Sequence, residues 1–213
     1  MARPRNADPE QTRRRVLGAA AEAFTAAGRD GASMRQIARG AEVSIATIHY
    51  YFGSKDRLFD AVMADAWQTL GGTMPMARVL LDLRHAVRGL TPDQTRQAID
   101  DLVRGSFRQL RAERGSLQLI MQSVLTEGSL DPSWRDGAVD PFLDEVSQLL
   151  SQTTKLEPAE LRLRLQSLVA LASRYALSSD LELARMTGAP SDADGVSRTE
   201  DHLVSIAHLL LGV

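Results

Sequence analysis

Apolar residues recur three and four positions apart along almost the whole chain, which is the spacing of one face of an α-helix. No stretch shows the sustained alternation of apolar and polar residues that marks a half-buried strand. Together these observations predict an all-α fold. The expected helices cover residues 9–27, 34–40, 45–52, 55–70, 77–88, 92–113, 116–127, 138–153, 158–178 and 198–211.

Local signals predict where several of these helices begin and end. Ser33, Ser44 and Thr91 stand where N-caps are expected, and Pro92 suits a first helical turn. Gly28 is expected to end the first helix. Clusters of Gly, Pro, Ser and Asp predict a break at residues 71–76, a loop at residues 127–137 and a mobile connection at residues 187–196.

The composition excludes several kinds of site. The chain of 213 residues has no cysteine, which excludes disulfides, thiol nucleophiles and thiolate metal ligands. Its four histidines lack the spacing of metal ligands, so we expect no metal and no cofactor. No apolar run approaches the roughly 20 residues of a membrane span, and the first residues lack the apolar middle of a secretion signal. We therefore expect a cytoplasmic protein without a membrane partner.

The net charge of -2 is unevenly distributed along the chain. Residues 1–60 contain ten Arg or Lys against seven Asp or Glu, so this segment is positive and the remainder is negative. A basic segment on an acidic body suits a polyanionic partner. A solvated, disordered basic tail is an equally good interpretation of the charge pattern alone.

Residues 33–52 predict a helix-turn-helix, because two short helices separated by a turn follow a longer helix. On the second short helix, Ile45, Ile48 and Phe52 recur at spacings of three and four. We expect them to pack inward, against Phe24 and Ile37. The same geometry directs four other side chains outward or to the flanks: Thr47, His49, Tyr50 and Tyr51.

Aromatic side chains outside a core usually have a partner. The hydroxyl of Tyr50 and the imidazole of His49 can hydrogen-bond phosphate oxygens or base edges, so we interpret both residues as DNA contacts. For Tyr51, packing at the edge of a small domain is the favoured interpretation.

The segment SMRQIARGAEVSIATIHYYFGSKDRLFDAVM, residues 33–63, resembles the DNA-binding segment of the TetR family of transcriptional regulators. Four elements of the family pattern occur in order, SMRQIA, AEVS, IATIHYYF and SKDRL, and the resemblance extends over about residues 10–67. Two positions depart from the pattern. Glu42 replaces the usual turn glycine, so we expect the turn to adopt a conformation that a non-glycine residue tolerates. His49 stands at a position where the family most often has tyrosine.

The resemblance implies roles for individual residues. Ser33 and Arg35 would lie at the phosphate backbone, and Lys55, at the positive end of the next long helix, would contact a phosphate. The basic run at residues 13–15 could add backbone or minor-groove contacts, although such runs are more often solvated. The recognition helix would present Ser44, Ile45, Ala46, Thr47, His49 and Tyr50 to the duplex.

For the rest of the chain, the resemblance implies a helical ligand-binding and dimerisation domain at residues 70–213, after a DNA-binding domain at residues 9–69. The last two long helices have wide apolar faces, so we expect a homodimer with these residues in or beside its interface: Leu165, Leu168, Val169, Leu203, Ile206 and Leu210. Large or polar residues among apolar ones are candidates for an effector pocket, although such residues more often belong to an ordinary core. They are Trp67, His85, Phe107, Met121 and Tyr175. The segments LTEGSLDPSW and LASRYALSSDLELARMTG faintly resemble the C-terminal domain of CecR-like members.

The function implied is a ligand-responsive transcriptional regulator, most often a repressor that leaves a palindromic operator when an effector binds. Its partners would be double-stranded operator DNA, a small molecule of unknown identity and a second copy of the chain. A helical protein-interaction module without DNA binding and an enzyme are the alternatives. No Gly-rich phosphate loop follows a strand and no Gly-x-Ser-x-Gly motif occurs, so the motifs do not support an enzyme.

Overall fold

The computed structural model describes residues 8–73 and 91–212, and within these ranges the regular structure is helical throughout. The prediction of an all-α fold is confirmed. His85 and the helix expected at residues 77–88 lie outside the described residues. Numbered in chain order, the described helices are α1 Pro9–Gly31, α2 Met34–Gly40, α3 Ile45–Phe52, α4 Lys55–Thr73, α5 Pro92–Ala112, α6 Arg114–Glu127, α7 Pro132–Trp134, α8 Asp140–Ser151, α9 Pro158–Ala176, α10 Asp180–Thr187 and α11 Asp192–Leu211.

The chain forms two compact units. The first unit comprises the described residues up to Leu70 together with a later segment, Gly115–Ser129, which contains most of α6. The second takes in the described parts of Gly71–Arg114 and Leu130–Val213. The expected ligand-binding domain at residues 70–213 therefore includes one segment that clusters with the first unit.

The first unit begins with α1, which has a capped start and a marked interruption near its end. The Asp8 side chain accepts a hydrogen bond of 3.0 Å from the backbone N–H of Glu10, which satisfies one of the free donors of the first turn. Gly28, with a φ of 70°, interrupts the helical backbone at the position where the sequence predicts an end. The chain then resumes helical geometry as far as Gly31.

An apolar core holds α1 to α4 together. Phe24 of α1 is fully buried, and its ring meets that of Phe59 edge to face with 5.1 Å between the centroids. Ile37 of α2 and Ile48 of α3 are also fully buried. Burying one such side chain contributes about 1.5–3 kcal/mol, so these residues fix the positions of the short helices, which are too short to be stable alone.

In the second unit, α11 packs against α5, α9 and α10. A buried carboxylate lies between α5 and α11. Both oxygens of Glu200 accept hydrogen bonds from Arg108, from Nε at 2.8 Å and from Nη2 at 2.7 Å. Arg104 Nη1 lies 3.7 Å from Glu200. The hydrogen bond with Glu200 is the main reason that the pKa of Arg108 is raised. These bidentate contacts offset the cost of burying the charge of Glu200.

The loop expected at residues 127–137 is largely helical. Asp131 caps α7 by accepting a 2.8 Å hydrogen bond from the Ser133 N–H, and the helix continues through a π-helical turn, Arg135–Val139, into α8. The Ser133 hydroxyl, and after it the Ser133 N–H, lowers the pKa of Asp131. The prediction of a loop was wrong because Asp131 and Pro132 are helix-starting residues that were interpreted as turn residues.

A second expected connection, residues 187–196, is also shorter in the structure, and the helix before it was missed. Ser179 caps α10 through a 3.1 Å hydrogen bond from the Glu182 N–H. Gly188, with a φ of 61°, ends that helix. α11 starts at Asp192 rather than at residue 198, because Ser191 accepts a 3.2 Å hydrogen bond from the Asp194 N–H.

Candidate DNA-binding surface

The turn between α2 and α3 sets the direction of α3. The Val43 N–H donates to the Ala38 carbonyl at 3.0 Å, which closes the end of α2. Glu42 has a φ of 54°, in the left-handed region that favours glycine, and it is the one non-glycine residue with a positive φ in the described chain. The turn therefore keeps a glycine-type backbone, contrary to the expectation from the Glu42 replacement, and Glu42 bears the strain.

α3 has a buried face and an exposed face. Ile48 and Phe52 are buried, as expected, whereas Ile45 is only half-buried. On the opposite side, Tyr50 exposes 83% of its surface and His49 is also exposed. The structure therefore leaves the two rings that we interpret as DNA contacts accessible to a partner.

Tyr51 is half-buried and supports Tyr50. The two rings meet edge to face, with centroids 5.2 Å apart and an interplanar angle of 84°. The centroid of the Tyr51 ring also lies 6.4 Å from the centroid of the ring of the buried Phe52. This arrangement agrees with the interpretation of Tyr51 as a packing residue.

The hydroxyl groups expected at the DNA surface also cap helices. Ser33 accepts a 3.2 Å hydrogen bond from the Gln36 N–H and donates a 3.0 Å hydrogen bond to Oε1 of the same residue. Ser44 accepts from the Thr47 N–H at 3.0 Å, and the two hydroxyl oxygens lie 2.8 Å apart. Ser33 and Ser44 remain exposed, so capping fixes their positions without hiding them.

Two of the expected phosphate contacts differ in how they are held. Arg35 is exposed on α2. Lys55, at the start of α4, is half-buried, and its Nζ donates to the Asp30 carbonyl at 3.1 Å. An ammonium group has three donors, so this contact leaves protons of Nζ available for a phosphate.

Other cations lie beside α3. The guanidinium of Arg13 lies 5.7 Å from the centroid of the Phe52 ring. A Cβ atom placed on Gly53 would lie 3.7 Å from Nη1 of Arg57, so Arg57 flanks the end of α3. Arg57 belongs to the SKDRL element but was not predicted as a DNA contact, because, of that element, only Lys55 was assigned a phosphate. In contrast, Arg29 is paired with Asp56 at 2.8 Å, a hydrogen bond that raises the pKa of Arg29.

The residues proposed for an effector pocket are distributed over both units. Trp67 and Met121 are half-buried in the first unit, and Phe107 is fully buried in the second. Tyr175 lines a cleft of about 330 Å³ in the second unit. The other residues lining this cleft are Leu183, Met186, Thr187, Arg198, Thr199 and His202.

The residues proposed for the dimer interface differ in exposure. Leu203 is fully buried, so its side chain packs within the unit and cannot itself contact a second copy. Val169 is exposed, and the remaining four are half-buried: Leu165, Leu168, Ile206 and Leu210. The sequence did not single out the two most exposed leucines on these helices, Leu163 at 65% and Leu209 at 78%.

Two kinds of feature are absent from the described residues. No group of three or more His, Asp or Glu residues lies close enough together to hold a metal ion among residues 8–73 and 91–212. In that part of the chain, the helices also lack the combination of length and apolar composition needed to cross a bilayer.

Comparison with known proteins places the motif helices in a family. The family described as "Bacterial regulatory proteins, tetR family" matches residues 16–62. The HTH-type transcriptional regulator SrpR of Pseudomonas putida is 41% identical over 64 residues, which are 30% of this chain and 30% of SrpR. The HTH-type transcriptional regulator BetI of Escherichia coli O17:K52:H18 is 31% identical over 106 residues, half of each chain. This chain therefore spans no more than half the length of these two relatives.

The whole fold has a solved counterpart. A TetR-like transcriptional regulator from Rhodococcus sp. RHA1 matches with a TM-score of 0.64, covering 99% of this chain and 100% of that one. At 23% identity, this likeness shows the fold alone. The two curated relatives, SrpR and BetI, are both named as HTH-type transcriptional regulators.

Proposed function

Because this chain belongs to the TetR family of transcriptional regulators and carries its DNA-binding helix-turn-helix, we propose that it is a ligand-responsive repressor. Its homodimer binds a palindromic operator and leaves it when a small molecule binds. The observation that carries the proposal is the exposed face of α3, where Tyr50 and His49 are accessible on a helix anchored by Ile48 and Phe52.

The dimensions of α3 suit the major groove. Its eight residues make a rod of roughly 12 Å, about the width of the groove in B-DNA. Residues near its start, Ser44, Ala46 and Thr47, would face base edges, since the first turns of a recognition helix approach the bases most closely. Ser33, Arg35 and Lys55 would hold the phosphates on either side and set the register without reading sequence.

A palindromic operator requires a twofold partner. We propose that α9 and α11 supply the homodimer interface, because Leu163, Val169 and Leu209 expose apolar surface on these two helices. The paired α3 helices would then enter successive major grooves, about 34–36 Å apart.

The effector would act on that spacing. We propose that the domain at residues 70–213 binds the small molecule and that the released conformation binds it more tightly. To change a dimer from 99% operator-competent to 99% released, the effector must prefer the released state by about 10⁴-fold. The cleft beside Tyr175 lies at the lower end of the size range of small-molecule sites. The faint resemblance to CecR-like members and the cytoplasmic location stay predictions.

Selection of genomic fragments tests the proposal. The purified full chain is incubated with fragments of the genome that encodes it, and the bound fragments are sequenced and footprinted. We expect enrichment of a short sequence with twofold symmetry, protected on both half-sites. Recovery of fragments without a common sequence, or protection of a single asymmetric half-site, would contradict a dimeric repressor of this kind.

A further inference from the structure

The contact between His49 and the backbone determines which ring nitrogen carries a proton. Nδ1 of His49 lies 2.6 Å from the carbonyl oxygen of Gly53. A carbonyl oxygen can only accept a hydrogen bond, so Nδ1 is the donor. Gly53 follows α3 with a φ of 78°, and its N–H donates to the His49 carbonyl at 2.9 Å. The end of α3 thus holds the imidazole ring in one orientation and one tautomer.

Nε2 is the ring nitrogen left for a ligand. The side chain is exposed, and among the described residues no hydrogen bond to Nε2 accompanies the one made by Nδ1. His49 also lies on the same short helix as the exposed Tyr50. A duplex bound to this face would therefore meet Nε2.

The chemistry of Nε2 depends on the charge of the ring. In the neutral ring with a proton on Nδ1, Nε2 carries a lone pair and can only accept a hydrogen bond. Phosphate oxygens also only accept, so a neutral His49 cannot hydrogen-bond a phosphate. The imidazolium carries a proton on Nε2 and can donate to a phosphate oxygen with a charge-assisted hydrogen bond.

We propose that His49 is a proton-dependent phosphate contact, so that operator binding takes up a proton from solvent on Nε2 of each His49. The inference rests on the proposed function, because it requires this face of α3 to bind DNA. A tyrosine at this position would donate its hydroxyl proton at any physiological pH, whereas histidine changes charge between about pH 5 and pH 8. The replacement therefore makes DNA affinity sensitive to pH.

A bound duplex adds charge beside the ring. A phosphate brought close to an imidazole favours the charged form of that imidazole. Asp56 is occupied by Arg29, and Lys55 is held by the Asp30 carbonyl. Besides His49, the ionisable groups on α2, the turn after it, α3 and the first turn of α4 are Arg35, Arg39, Glu42, Tyr50, Tyr51, Lys55, Asp56 and Arg57. From α1, Arg13 lies over the ring of Phe52.

The direction of the effect follows from linkage. Since the complex favours the imidazolium, the added affinity is fully present at low pH, where His49 is already charged, and is lost as pH rises and the ring in the complex loses its proton. One charge-assisted hydrogen bond corresponds to about a tenfold change in affinity for each His49. At low pH, the added phosphate contact also steepens the slope of log K against log salt concentration by about 0.9 for each His49.

The test measures operator affinity of the full chain at about pH 6 and about pH 8, at several salt concentrations. We expect wild type to bind more tightly and with a steeper salt slope at low pH. His49→Asn keeps an N–H that can donate to the Gly53 carbonyl but lacks Nε2, so its affinity and slope should not change with pH. His49→Gln carries an amide donor at every pH and should also give a flat profile. Melting temperatures establish that both variants are folded.

A control histidine separates this effect from other titrations. His208 of α11 contacts Asp100 through Nε2 at 2.6 Å, and His208→Gln should keep the wild-type pH profile. A flat wild-type profile, or a pH effect that persists in His49→Asn, would overturn the inference while leaving the proposed function in place. Failure of the wild-type chain to bind any duplex at either pH would instead overturn the proposed function.

Discussion

The rings of Tyr50 and Tyr51 meet edge to face at 5.2 Å, yet Tyr50 exposes 83% of its surface while Tyr51 is half-buried. Tyr51 thus acts as a support that limits the rotamers of its exposed neighbour. An aromatic side chain held in this way loses little conformational entropy on binding, which suits a contact residue. On α3, Tyr51 therefore has a packing role, and Tyr50 stays exposed for the DNA contact that we propose.

Tyr50→Ala should weaken operator binding without affecting the fold. The exposed ring contributes little to folding, whereas loss of its hydrogen bond and contact area should cost about 1–3 kcal/mol of binding, or roughly fivefold to 140-fold in Kd. Fluorescence anisotropy with a labelled operator measures the change, and thermal unfolding monitors stability. Tyr50→Phe distinguishes the hydroxyl from the ring. Wild-type affinity in Tyr50→Ala would show that another surface binds the duplex.

Lys55→Ala should reduce the salt dependence of DNA binding. Removing one phosphate contact lowers the slope of log K against log salt by about 1 for each subunit and weakens operator and non-operator duplexes alike. Arg96, an exposed cation on α5 of the second unit, provides the matched control. An equal change in slope for Arg96→Ala would indicate a general charge effect and would exclude Lys55 as a specific contact.

Gly195→Ala should strongly destabilise the second unit. A Cβ atom at this position would lie 2.5 Å from the Cα and from the N of Ala184, and backbone atoms cannot move aside as a side chain can. We expect a loss of at least about 3 kcal/mol in the free energy of unfolding, measured by urea denaturation. Gly105→Ala in α5 is the control, because nothing lies within 4 Å and the helix should gain about 0.5–1 kcal/mol. Equal stabilities of the two variants would contradict the close crossing of α10 and α11.

Glu42→Gly should stabilise the first unit by about 1 kcal/mol, because glycine adopts a φ of 54° without the steric cost that Glu42 bears. Glu42 lies 3.9 Å from Arg15 in an exposed ion pair, which contributes little. Glu42→Ala removes that ion pair but keeps the strain, so it should leave stability nearly unchanged. Chemical denaturation compares the two variants. A destabilised Glu42→Gly variant would mean that the ion pair outweighs the strain.

Leu209→Glu should convert the proposed homodimer to monomers of 23.3 kDa in sedimentation velocity. A buried, unpaired carboxylate at an interface costs several kcal/mol, which exceeds what one lost leucine contact would cost. Leu125 of α6 is exposed to a similar extent, at 82%, but belongs to the first unit. Leu125→Glu should therefore remain dimeric. A monomeric wild-type chain at micromolar concentration would contradict the proposed assembly.

Local signals were sufficient to predict the helix-turn-helix. The Ser33 and Ser44 caps lie where the sequence indicates them, and the spacing of Ile48 and Phe52 gives the buried face of α3. The sequence could not show that Glu42 takes a left-handed conformation, because that depends on how the preceding and following helices pack.

The second unit was harder to predict because its signals are not local. Residues 187–196, a segment rich in Gly, Ser and Asp, were interpreted as mobile, although Ser191 caps α11 within that segment. Gly195 lies inside that helix because α10 approaches too closely for a side chain, a constraint that only the packed structure reveals. Likewise, Leu203 and Leu209 have similar sequence environments, yet one is fully buried and the other is 78% exposed.

The most direct test of the account is the affinity of the full chain for a selected operator and for a scrambled duplex of equal length, measured from about 50 to 200 mM salt. If the exposed face of α3 binds DNA, the operator should bind far more tightly than the scrambled duplex, and its affinity should fall by about a thousandfold over this range. Equal affinity for the two duplexes with little response to salt would contradict DNA recognition by α3.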